Sequence, residues 1–175
     1  MSDIFQEFVK RRSIRRSTEE PVSEEALRRI LAVGLMSASG KSKFPWQFIV
    51  VRDRAMLEKL SNCRVGVARM LAKAACAIVV IGDKTITDTV VEDCTIAAIN
   101  MHLEASSLGL GSCYIQGRGR EAEDGRSTDA FVRDLLGFPE AYQLQAVLSL
   151  GHPLKEARPH DVEKLDWSKV HQETF

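Results

Sequence analysis

Four arginines fall within six residues in Arg11-Arg12-Ser13-Ile14-Arg15-Arg16. An arginine fork matches phosphate oxygens two at a time, and Ser13 adds a short hydroxyl donor among them. So dense a cluster repels itself unless an anion or acidic partners sit within it. Another cation and an imidazole, in Arg158-Pro159-His160, stand near the opposite end of the chain. Together such groups could hold a phosphate; each cluster alone also fits a solvated basic surface.

Two further segments could approach a flat ligand. Ser37-Ala38-Ser39-Gly40 consists of small residues, which let a backbone come close to a planar ring, and Phe44-Pro45-Trp46-Gln47-Phe48 follows it. Leu108 to Gly117 is glycine-rich, but it lacks the G-x-G-x-x-G spacing of a dinucleotide site, and no Walker A sequence occurs. No Ser-His-Asp or Cys-His pattern offers a protein nucleophile. Cys63, Cys76, Cys94 and Cys113 form no C-x-x-C pair and have no zinc-finger spacing, so they read as reduced structural residues, and no metal centre is expected.

The elements that must position these groups can be read from apolar periodicity. Ile4, Phe5, Phe8 and Val9 predict a helix over residues 3–10. Pro21 and a Ser23 cap open a second, with Leu27, Ile30, Leu31 and Leu35 on its apolar face. A strand is expected over 47–51, helices over 55–60 and 65–73, and a buried strand over 77–81. The longest helical pattern covers 92–108, with Ile96, Ile99, Asn100, Leu103 and Ser107 recurring along it. Its apolar circumference and small residues predict burial in the core or in a subunit interface, and Gly109 should end it as a left-handed cap. Strands over 111–115 and 144–150 and a helix over 129–136 complete the body. The polar segment 118–128 reads as a mobile loop. Beyond Gly151-His152-Pro153 runs an irregular tail with Leu165, Trp167 and Val170, whose apolar tips predict docking on another surface such as a partner subunit.

These elements predict a three-layer α+β domain around four or five short strands, one domain for the whole chain of 175 residues. The 24 Lys+Arg balance 24 Asp+Glu, which removes any global pull toward nucleic acid or an anionic membrane. The longest apolar run is far short of the ~20 residues that span a bilayer. The charged N-terminal stretch does not read as a signal peptide, so a cytoplasmic location is expected.

Taken in order, these segments resemble the nitroreductase family of FMN enzymes over nearly the whole chain. Arg11, Arg12, Ser13 and Arg15 match its R-R-S-x-R motif. Ser37 to Ser39, then Pro45, Trp46 and Phe48, match its small-residue loop and P-W-x-F. Asn100, Leu103, Leu108, Gly109, Leu110, Gly111 and Ser112 match the end of its long helix, and Gly151-His152-Pro153 with Arg158-Pro159-His160 matches its close. The resemblance implies a three-layer α/β/α sandwich with a mixed, mainly antiparallel sheet, working as a homodimer with FMN at the subunit interface. It implies that Arg11, Ser13 and Arg15 contact the FMN phosphate, ribityl chain and pyrimidine edge, with Arg12 beside the ring or ribityl chain. Arg158 and His160 would close on the phosphate. Ser37, Ala38, Ser39 and Pro45 would come from the other protomer, while Tyr114, Ile115, Gln116 and Gly117 run along the ring, Gln116 near N5. Ser42 stands where the family often has a ring-binding Asn, and His160 where it has Arg. The implied activity passes hydride from NADH or NADPH through the flavin to a nitroaromatic, quinone or similar small acceptor, with Arg11 or Arg15 stabilising the reduced ring. Lys41, Lys43, Arg118 and Arg120 leave room for an anionic acceptor. The alternatives are another flavin chemistry on the same scaffold (dehalogenation, azoline oxidation, flavin cleavage) or a non-catalytic flavin-binding protein.

Overall fold

A computed structural model describes residues 3–175 of the chain. Its helices are α1 (Ile4–Lys10), α2 (Glu24–Leu35), α3 (Arg54–Leu60), α4 (Val90–Ser107) and α5 (Thr128–Leu136); its strands are β1 (Trp46–Val51), β2 (Cys76–Asp83), β3 (Gly111–Gln116) and β4 (Tyr142–Gly151). Helix starts follow local chemistry. The Ser23 hydroxyl accepts the Ala26 N–H at 3.2 Å, Asp53 accepts that of Met56 and Ser127 that of Ala130, satisfying donors the first helical turn leaves open. Gly109 lies just past α4 and Gly137 caps α5; both are left-handed at φ 73°.

The strands form a four-stranded sheet in the order β1-β2-β4-β3. All its ladders are antiparallel. The parallel component that the resemblance implies is confined to one bridge, Ser13 to Ser112. Residues of β2 alternate between two cores, as a strand's period of two demands. Cys76, Ile78 and Val80 pack with α2 and α4, whereas Ala77, Val79 and Ile81 pack with α3 and α5. The expected three layers are therefore present, with helices on both faces of the sheet.

Two local expectations change, and a third takes a definite form. Residues 65–73 form only a 3₁₀ turn, Ala68–Lys73. Segment 118–128 is tied down rather than free: the Glu121 carbonyl accepts the Val65 N–H at 3.0 Å, Glu121 bridges Ser127, and Ala122 is buried. The stripe Ile96-Ile99 on α4 faces outward, each about 40% exposed; Cys94, Ala97, Ala98, Met101 and Ala105 face the sheet instead. Small side chains bring α4 close to β2 and β4, with Met101 as the large side chain that fills the inner face.

Candidate functional site

The two ends of the chain are sewn together. The Thr18 N–H donates to the His152 carbonyl (2.8 Å), the Leu154 N–H to Arg16 (3.1 Å) and the His160 N–H to Val9 (2.8 Å). The Arg12 guanidinium donates to the Arg158 carbonyl at 2.6 Å. Residues 152–160 thus run back along 9–18. Gly111 makes room for the inner segment, since a Cβ there would lie 2.6 Å from Ile14. The Ile14 N–H then donates to the Ser112 carbonyl at 2.9 Å, fixing the arginine segment on the edge of β3.

This arrangement brings Arg11, Arg12, Ser13, Arg15, Arg158 and His160 around one cavity of about 420 Å³. Among the described residues, no carboxylate lies within 4.0 Å of these arginines. Four uncompensated guanidiniums around one space make an anion site. The donor set fits the phosphate end of FMN: forked cations for the oxygens, and a serine hydroxyl for the chain that follows.

One neutral group does touch the cluster. Arg11 Nη1 lies 2.9 Å from Nε2 of His102 on α4, and His102 Nδ1 is hydrogen-bonded to the Ser112 hydroxyl. Burial, followed by the charge of Arg11, lowers the His102 pKa from 6.5 to about 4. Sequence reasoning missed His102; the available signal was a titratable side chain beside Met101 on the buried side of a small-residue helix.

From this end β3 acts as a ruler. Ser112 lies beside the arginines, and at ~3.3 Å per residue Gln116 lies roughly 13 Å further along. Tyr114 is half-buried, with its hydroxyl accepting from Gln145 at 3.2 Å. Ile115 is fully buried in the α3/α5 core, so only its backbone can lie along a ligand. The Gln116 side chain is engaged by the Arg118 carbonyl and by Arg120, while Arg64 reaches its backbone carbonyl at 3.4 Å. The Gly117 N–H is likewise committed, to the Gln145 carbonyl, and a Cβ there would meet Leu144 at 2.4 Å.

The profile of the Nitroreductase family matches residues 8–65 and 62–152. The chain belongs to the nitroreductase family. It is 39% identical to an FMN-dependent nitroreductase from Clostridium difficile, covering 98% of this chain and 99% of that one with a TM-score of 0.95. An Archaeoglobus fulgidus protein provisionally named NADH dehydrogenase/NAD(P)H nitroreductase is 34% identical over the full length of both. The NADPH:FMN oxidoreductase of Vibrio harveyi, solved with NAD+, superposes with a TM-score of 0.84 at 25% identity; the match covers 99% of this chain and 78% of that one.

In this nitroreductase the Ser37–Pro45 segment lies away from the arginine cavity. Its anchor is Asp93, in the first turn of α4, while His102 marks the cavity. Nine residues of helix at ~1.5 Å each separate them by roughly 14 Å. Asp93 is buried and accepts from the Ser39 hydroxyl (3.1 Å), the Gly40 N–H (2.9 Å) and the Thr89 hydroxyl (3.1 Å). The Ser37 hydroxyl accepts from Asn100 at 2.9 Å. Within one chain, then, none of Ser37, Ala38, Ser39, Ser42 and Pro45 lines the arginine cavity, although Ser37, bonded to Asn100, is anchored nearer to His102 than Ser39 is. The loop between them is bent, with Lys41 and Ser42 at φ 52° and Phe44 at φ 46°, left-handed values that cost a residue other than glycine free energy. Asn tolerates that region better than Ser does, which gives a backbone reason for an Asn at position 42. Asp93 is a second residue the sequence reading missed, a carboxylate on the buried side of the helix start.

The cysteines take no part. All are free and buried. Burial pushes the Cys63 and Cys94 thiols up to about 12 and Cys76 to about 11, so they carry no thiolate near neutrality. No described helix is long and apolar enough to cross a membrane.

Proposed function

We propose that this nitroreductase is an FMN-dependent enzyme that takes reducing equivalents from NADH or NADPH and delivers them to a nitroaromatic, quinone or similar small acceptor. The observation that carries this reading is the convergence of guanidiniums from both chain ends on one cavity without a carboxylate. Bound there, FMN supplies two-electron transfer between a nicotinamide and an acceptor. The protein supplies position and charge. Arg11, Arg15 and Arg158 hold the anionic end, Ser13 donates to the chain beyond it, and His160 closes the far side. Arg12 lines the same cavity, where it would stand beside the ring or ribityl chain, and it also clamps the tail through the Arg158 carbonyl. Tyr114 and the backbone of Ile115 to Gly117 line the path toward the reacting edge.

The second half of the site belongs to another copy of the chain. On the family resemblance, the Ser37–Pro45 loop, which does not line its own chain's arginine cavity, completes the flavin pocket of a partner in a homodimer. Two observations support that assembly. Every residue from Leu154 to Phe175 is exposed, Trp167 at 70% and Val170 at 60%, which is costly for an apolar tail in water. The outward Ile96 and Ile99 of α4 and Phe5 and Phe8 of α1 add further bare apolar surface. On this reading residues 1–175 are one flavin-binding unit whose segment 154–175 packs on the partner, and a cytoplasmic location supplies its nicotinamide.

The purified protein is expected to show visible flavin bands that bleach on anaerobic addition of NAD(P)H and return with a nitroarene or quinone. A colourless protein that takes up no FMN overturns the proposal. Bound flavin that no nicotinamide reduces leaves a carrier, not an enzyme.

A further inference from the structure

His102 is 3% exposed, and so is Ser112, to which its Nδ1 is bonded. The opposite ring nitrogen meets Arg11 Nη1 at 2.9 Å. A guanidinium carries donors only. Nε2 must therefore present its lone pair, and Nδ1 must carry the proton that goes to the Ser112 oxygen. A protonated ring would set N–H against N–H, with two positive charges in a buried site. The contact thus fixes both the tautomer and the neutral state of the imidazole.

Several arginines elsewhere in the chain are held by carboxylates instead. Arg29 pairs with Glu104, Arg52 with Glu24, Arg126 with Asp124 and Arg133 with Asp129. A carboxylate fixes a guanidinium but cancels its charge. A neutral acceptor fixes it and leaves the charge available. From this contrast we infer that His102, braced by Ser112, is a positioning residue that holds Arg11 at the cavity while reserving its full charge for the phosphate of FMN. The inference rests on the flavin reading above and adds a residue that the family motif does not contain.

The test replaces the neutral acceptor by a charged one. FMN and riboflavin are titrated by flavin fluorescence into wild-type protein, His102→Glu and His102→Gln, with circular dichroism to show that each is folded. In His102→Glu a carboxylate can pair with Arg11 directly, so the variant is expected to lose FMN affinity about tenfold or more, one full charge-assisted bond, while riboflavin affinity stays unchanged. His102→Gln, a neutral acceptor, is expected to restore most of the preference for FMN. A folded His102→Glu protein that keeps wild-type FMN affinity overturns the inference and leaves the flavin site standing. Wild-type protein that binds riboflavin as tightly as FMN overturns the phosphate reading and this inference with it. Nitrogen NMR of 15N-histidine-labelled wild-type protein gives an arm that needs no variant. A neutral ring with the proton on Nδ1 at neutral pH is expected; an imidazolium, or a proton on Nε2, overturns the inference even where His102→Glu does not fold.

Discussion

Arg11 and Arg15 sit in their cavity without a carboxylate to neutralise them, and that fixes what their loss should do. Each charge-assisted bond to a phosphate oxygen contributes ~1.5–3 kcal/mol. Arg11→Ala combined with Arg15→Ala should therefore weaken FMN binding roughly 100-fold or more, read as the dissociation constant and as the flavin content of the purified protein. Unchanged flavin content removes these residues from the site. His102 makes a separate prediction about pH. Burial first, and Arg11 second, lower its pKa from 6.5 to about 4 in the folded chain. The unfolded chain takes up that proton first as pH drops, so stability falls between about 6.5 and about 4 and is unaffected by this group above that window. At ~1.4 kcal/mol per pKa unit the loss is on the order of 3 kcal/mol. Denaturant melts of wild type and His102→Gln across the window isolate it from the carboxylates, and parallel pH dependences in the two proteins would falsify the assignment.

At the scale of elements, α4 does two jobs with its polar residues. His102 meets the arginine segment near one end, and Asp93 holds the Ser39–Phe44 loop at the other. Removing the Asp93 carboxylate strands three donors, two of which fix a loop with left-handed backbone at Lys41, Ser42 and Phe44. Asp93→Ala should cost roughly 1–3 kcal/mol in unfolding free energy and should also loosen flavin binding in the assembled protein. Equal flavin affinity in a destabilised variant would leave Asp93 a purely structural anchor. The same helix shows how far periodicity reaches. The spacing of Ile96, Ile99 and Leu103 marks a shared face but not which way it turns. The alanines and Cys94 share the inner side with Met101, and the small residues let the helix approach the sheet closely; Gly82, where a Cβ would meet Cys94 at 2.6 Å, belongs to the same close fit. The helix starts, by contrast, were legible, because Ser23 caps with atoms two or three residues away.

For the whole molecule the decisive feature is the tail. Residues 152–160 deliver Arg158 and His160 to the arginine segment, and 161–175 then leave the body with their apolar side chains exposed. Ending the chain after Pro153 should remove both effects: the protein is expected to shift toward monomer by sedimentation or light scattering, and to lose most of its flavin. A truncated protein that remains dimeric and yellow rules out the tail as dimer contact and phosphate clamp alike.

What the sequence determined alone is whatever depends on residue type and short spacing: the basic motif and its chemical taste for phosphate, the caps, the buried apolar strand at β2, the small-residue character of α4, and the family resemblance they spell out. The tertiary structure decided what depends on chain-distant contacts. It turned Ile96 and Ile99 outward, buried the side chain of Ile115 away from the cavity, made Arg12 a clamp on the tail, and set a neutral His102 under Arg11. Those outcomes follow from which surfaces meet across the sheet and between the two termini, and no local window of sequence contains both partners.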